Sequence, residues 1–115
     1  MKKEISVFIS HILNSIIKIE SFVNGVSKED FYNNEEKQSA VVRQIEIIGE
    51  AVKNLPKEFK EQYNNIEWSK IIRARDRMIH KYFDINLEIV WDIIKNDLPK
   101  LKKQIEKIKH ELNSK

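Results

Sequence analysis

Apolar residues recur along this chain at the spacing of helix faces. Ile5, Phe8, Ile12, Ile16 and Ile19, with Ser15 among them, share one side of a helix expected over about Lys3 to Asn24. Asn24-Gly25 is a stop signal, and Ser27 with Asp30 three residues on opens a short helical turn. Asn33 or Asn34 starts a second helix, with Glu36 in capping position behind Asn33. Val41, Ile45, Ile48, Val52 and Leu55 then form a stripe that Pro56 ends. A short turn from Pro56 to Tyr63 leads to a third helix over about Glu67 to Tyr82, capped by Asn65. Asp84-Ile85-Asn86 breaks it. A fourth helix carries Leu87, Val90, Trp91 and Ile94, meets a kink or interruption at Pro99, and continues through Leu101, Ile105, Ile108 and Leu112. Four main helices on short connections predict an all-α antiparallel four-helix bundle with short extra turns, in a single domain over residues 1–115.

Composition supports that reading. With only two Gly and two Pro, the 115 residues are poorly supplied for a turn-rich β protein, and 41% hydrophobic residues suffice for a core. The absence of Cys excludes disulfides, thiolate chemistry and Cys-based metal sites, and agrees with a cytoplasmic location. The stretch from Ile5 to Ile19 is interrupted by Ser6, Ser10, His11, Asn14, Ser15 and Lys18 and shows no small-residue cleavage site. It is expected to be an amphipathic helix, with no membrane as partner.

The net charge of +3 matters less than its distribution. Lys70, Arg73, Arg75, Arg77 and Lys81 crowd the third helix against Asp76 alone, and the segment after Pro99 is rich in Lys. Such patches suit a phosphate-bearing partner, or form a solvated helix face. At 100° per residue, Lys70, Arg73, Arg77 and Lys81 make a ridge about 80° wide. Arg75 instead projects among Trp68, Ile71, Ile72, Met78, Ile79 and Tyr82, in the middle of the apolar face. An unpaired guanidinium there is costly. Arg75 must therefore meet a carboxylate (Glu46 or Glu50 of the second helix), line a cleft, or sit at a subunit interface. Glu46 and Glu50 lie off the apolar stripe near Arg43, serving either a polar cleft or the surface. His80 would point about 140° from Arg75 in an unbroken helix, so the two converge only at a helix end or between two copies. Asp76 precedes His80 by four residues, in place to orient an imidazole. His11 and His110 carry only a structural reading, and no metal-ligand pattern joins the three histidines.

The run Arg75-Asp76-Arg77-Met78-Ile79-His80-Lys81-Tyr82 resembles the Arg-four-residues-His-any-Tyr motif of HepT-like proteins of the HEPN superfamily. Residues 43–55 (RQIEIIGEAVKNL), Trp68 to Ile72, Tyr82-Phe83-Asp84, Ile89-Val90-Trp91 and Asp97-Leu98-Pro99 resemble the family's flanking segments, in order, over nearly the whole chain. The resemblance implies a HEPN-type helical bundle that dimerises with the motif in a cleft at the interface. It implies a metal-independent endoribonuclease toxin of a type VII toxin–antitoxin pair, with Arg75 and His80 catalytic and no cofactor. Its implied partners are RNA and an MntA-type minimal nucleotidyltransferase antitoxin, which transfers AMP onto Tyr82. Arg43, Glu46, Glu50, Lys70, Arg73, Asp76, Arg77 and Lys81 would support the site or track the RNA backbone. The competing readings are a non-catalytic binding or regulatory partner of the nucleotidyltransferase, and a purely structural bundle with Arg75 salt-bridged inside one subunit.

Overall fold

Caps, glycine and proline place most of the element boundaries in the computed structural model, which describes residues 2–79 and 84–114, with side chains from Glu4 onward. α1 (Lys2–Val23) stops before Gly25, whose φ of 72° lies in the left-handed region that a glycine enters without a Cβ penalty. Ser27 Oγ accepts from Asp30 N at 3.0 Å and opens α2 (Lys28–Tyr32). Asn34 Oδ1 accepts from Lys37 N at 2.9 Å and opens α3 (Glu35–Lys53). Asn33 closes α2, so of the two asparagines it is the second that caps α3.

The stretch from Pro56 to Tyr63 contains a helix, α4 (Lys57–Gln62). Its end is sealed from a distance: Trp68 Nε1 donates to the carbonyls of Lys60 and Tyr63, each at 3.1 Å. Gln38 does the same for α2, donating to Phe31 O at 3.0 Å and Tyr32 O at 3.2 Å.

The third helix departs from expectation. It is two short pieces, α5 (Trp68–Ile72) and α6 (Ala74–Met78), separated at Arg73, which has φ −87° and ψ 5°. Asn65 does not cap it; Glu67 occupies that position without a side-chain bond. α6 ends at Met78, and Ile79 is extended and pairs with Ile85 in an antiparallel bridge. Asn86 N donates to Met78 O at 2.7 Å, so the chain returns to where it left α6. His80, Lys81, Tyr82 and Phe83, which fall between, lie outside the described residues.

Asn86 Oδ1 caps α7 (Leu87–Asp92) by accepting from Ile89 N at 3.1 Å. A π-helical segment (Ile93–Asp97) joins α7 directly to α8 (Leu98–Asn113), and Leu98 N donates to Ile93 O in the wide π pattern. Pro99 follows the π segment, as the second residue of α8. The expected interruption is thus a change of pitch in one rod.

The buried side chains form one cluster, with Ile9, Ile12, Ile16, Val41, Val52, Met78, Val90 and Ile105 inaccessible to solvent. Each contributes about 1.5–3 kcal/mol by leaving water. α1 packs on α3 and α8, α3 on α5 and α6, and α6 on α7. By length and composition Glu4–Val23 meets the requirement for a membrane span. Its Ile9, Ile12, Ile16 and Ile19 nonetheless face the protein interior.

Candidate active site

The break at Arg73 shifts the helical phase of α6. A straight helix would place Arg75 on the apolar face with Trp68. Instead α6 buries Ala74 and Met78 and turns Arg75 outward, with 54% of its side chain exposed. Its Nε donates to Glu46 Oε2 of α3 at 2.7 Å. The carboxylate is one of the two expected; the burial is not as expected, so the pair is no buried salt bridge. A charge-assisted bond of this length holds the guanidinium plane. Among the described residues no partner meets its two Nη nitrogens.

Arg75 and Glu46 line a cleft of about 260 Å³ between α3 and the α5–α6 break. Arg43, Glu50, Lys53, Arg73 and Asp76 complete its polar lining, and Ile45, Gly49, Ile71 and Ile72 its apolar part. A Cβ on Gly49 would meet Ile71 O at 3.6 Å, which is ordinary contact. The structure thus gathers Arg43, Glu46, Glu50, Arg73, Arg75 and Asp76 in one place. Among the described residues no carboxylate pairs with Arg43 or Arg73, while Glu50 lies 3.9 Å from Lys53. A fork of guanidinium donors beside unpaired cations suits a phosphate.

The expected basic ridge does not run through. Lys70 and Arg77 lie on the other flank of α5–α6, where Lys70 Nζ and Arg77 Nη1 each reach an oxygen of Asp97 at 3.4 Å. Arg73 lines the cleft instead, because the helix breaks at that residue. Three further residues expected at the site, Lys81, His80 and Tyr82, lie outside the described residues. As α6 ends at Met78, the 100° projection cannot be carried from Asp76 or Arg75 to position 80 or 82. Sequence reasoning missed Asp97 and Gly49 as neighbours of the site. Pro99, two residues beyond Asp97, is the only local sign of the π segment that carries the carboxylate. Among the described residues no group of three His, Cys, Asp or Glu side chains gathers as a metal-ligand set.

The fold is all-α and of the HEPN type, with an exposed, glutamate-held arginine in a polar cleft. The family described as "Ribonuclease HepT-like" matches residues 12–108, and the chain belongs to this ribonuclease family. It is 46% identical over 113 residues to a Methanocaldococcus jannaschii protein named "Gamma-glutamylcyclotransferase and putative RNase". That match covers 98% of this chain and 51% of the relative, so the chain spans about half of that protein's length. It is 38% identical over 109 residues to the "Probable ribonuclease HepT" of Thermococcus cleftensis, covering 95% of this chain and 99% of the relative. No solved structure matches the chain significantly.

Proposed function

We propose that this protein is a metal-independent endoribonuclease toxin of the cytoplasm, acting as a homodimer and silenced by AMP transfer onto Tyr82. The observation that carries the reading is Arg75: exposed in a cleft, fixed through Nε by Glu46, with its Nη donors available to a phosphate. The substrate's own 2′-hydroxyl is the nucleophile. Its oxygen bonds to the adjacent phosphorus as its proton passes to His80, and the 5′-oxygen leaves, taking a proton from solvent, to give a 2′,3′-cyclic phosphate and a free 5′-hydroxyl. An imidazole with an ordinary pKa near 6.5 suits that transfer at neutral pH. Arg75 holds the phosphate and balances the charge that builds on it. Arg43 and Arg73, which border the same cleft, steer the RNA backbone. Tyr82 stacks on a base or bonds to the phosphate.

Silencing is a matter of electrostatics. The Tyr82 oxygen attacks the α-phosphorus of ATP on a minimal nucleotidyltransferase partner of the MntA type, giving up its proton to solvent as pyrophosphate leaves. The resulting anion competes with RNA phosphate for Arg75 and fills the cleft.

One experiment tests the reading. Wild type, Arg75→Ala and His80→Ala are incubated with single-stranded RNA in a chelator. Cleavage by wild type is expected, with losses of about 10²–10³-fold for Arg75→Ala and 10²–10⁴-fold for His80→Ala. Preincubation with the nucleotidyltransferase and ATP should silence wild type and spare Tyr82→Phe. RNA left intact by all three proteins would favour a non-catalytic partner of the nucleotidyltransferase.

A further inference from the structure

α6 is five residues long, has no side-chain bond at its N-terminal cap, and comes after a residue outside helical geometry. So short a helix does not hold its own direction. Ala74 and Met78, four residues apart, anchor one face of it in the core. That leaves α6 able to rock about the anchored edge, and Arg75 would swing with it.

Two carboxylates from different elements oppose that motion. Arg75 and Arg77 leave α6 about 200° apart. Glu46 of α3 holds the first, and Asp97 of the π segment holds the second. Asp97 does more than mirror Glu46. Its Oδ2 meets Arg77 of α6, and its Oδ1 meets Lys70 of α5, each at 3.4 Å. One half-buried carboxylate therefore spans both pieces of the broken helix, with Arg73 between them. The π segment explains how it gets there. One inserted residue turns the later positions by about 100° relative to a regular helix.

We propose that Asp97 is a positioning residue for the active site: by clamping Lys70 and Arg77 across the break at Arg73, it fixes the direction in which α6 presents Arg75. It touches no substrate and acts through Arg77. The inference rests on the ribonuclease reading for its functional consequence, and on geometry alone for the clamp.

The test pairs kinetics with amide hydrogen exchange on the full chain. Asp97→Asn keeps the shape and removes the charge. It should lower kcat on single-stranded RNA about five- to tenfold with KM within about twofold, the scale of losing two partly exposed ion contacts. Asp97→Glu should recover most of that loss, and Asp97→Asn combined with Arg77→Gln should be no worse than the worse single variant. The amides of Arg77 and Ile79, bonded to Arg73 O and Arg75 O, should exchange faster in Asp97→Asn than in wild type. Unchanged kcat in a folded Asp97→Asn, or additive losses in the double variant, would overturn the proposal. Should Asp97→Asn not fold, Lys70→Gln and Arg77→Gln, each losing one of the two contacts, should each lower kcat about two- to threefold with KM unchanged and speed the same amide exchange. RNA left uncut by wild type sinks the ribonuclease reading alone, and the exchange rates still decide whether the clamp exists.

Discussion

Arg75 gains its fixed orientation from Glu46, and the close approach that brings the two together runs over Gly49. This residue sits inside α3, where a glycine costs about 1 kcal/mol relative to alanine. Its position lets the end of α5 lie against the helix, yet nothing comes nearer a built Cβ than Ile71 O at 3.6 Å. Gly49→Ala is therefore expected to stabilise the fold, raising Tm by about 3–6 °C in a scanning calorimeter. A lower Tm would mean that α3 and α5 tolerate no methyl between them. Glu46 was one of the two carboxylate partners the sequence offered for Arg75, but the reason given, burial on the apolar face, does not hold, because the side chain is 54% exposed. That exposure was not legible in the sequence, because Ile71 to Ile79 contains no Gly or Pro to mark the break at Arg73. The arginine at the break is itself a good helix former. Its departure from helical geometry is a property of the packing around it.

At the scale of elements, the short helices are held by side chains from elsewhere. Gln38 and Trp68 close α2 and α4, and neither bond has a local sequence signature, because its parts are five to eight residues apart and face different elements. Local signals were readable at Ser27 and Gly25, where the signal and its effect lie within three residues, whereas the capping pattern of Asn33 with Glu36 pointed one residue too early and Asn34 caps α3. Asn65 failed as a cap; its carbonyl accepts from Gln104 of α8 at 3.4 Å instead. Tyr63, just past α4, ties that helix to α8 by donating its hydroxyl to Glu111 Oε2 at 2.7 Å. Burial first, and then the bond and charge of Glu111, push the phenol up from 10.0 to about 12. The folded state thus prefers the protonated phenol. Its contribution to stability is complete below the unfolded value near 10 and disappears as pH rises through about 12. An absorbance titration should show one of the three tyrosines ionising near 12, and Tyr63→Phe should abolish that step. Denaturant melts should show wild type losing more stability than Tyr63→Phe between about pH 10 and 12. Equal losses would place the Tyr63–Glu111 bond outside the energetics of the fold.

Over the whole molecule, charge is sorted by flank. Lys70 and Arg77 are balanced by Asp97, Lys100 lies 3.8 Å from Glu67, and Lys102 lies 2.9 Å from Glu20. Arg43 and Arg73 have no such partner among the described residues, and both border the cleft with Arg75. The site therefore opens outward from one side of α6. Arg75 sits about 6 Å along the helix axis from the point where α6 gives way to extended chain at Ile79. A twofold dimer with this side at its interface would set the same patch of each copy against the other. Arg75 of one copy would then work with His80 of its partner, one of the two arrangements the sequence leaves open. Mixing decides the matter. Arg75→Ala and His80→Ala chains, refolded together in equal amounts, give half mixed dimers. If the two groups act across the interface, each mixed dimer holds one intact site, and about one quarter of wild-type activity returns. If they act within one chain, every site in the mixture lacks one group, and activity stays at the level of the single variants.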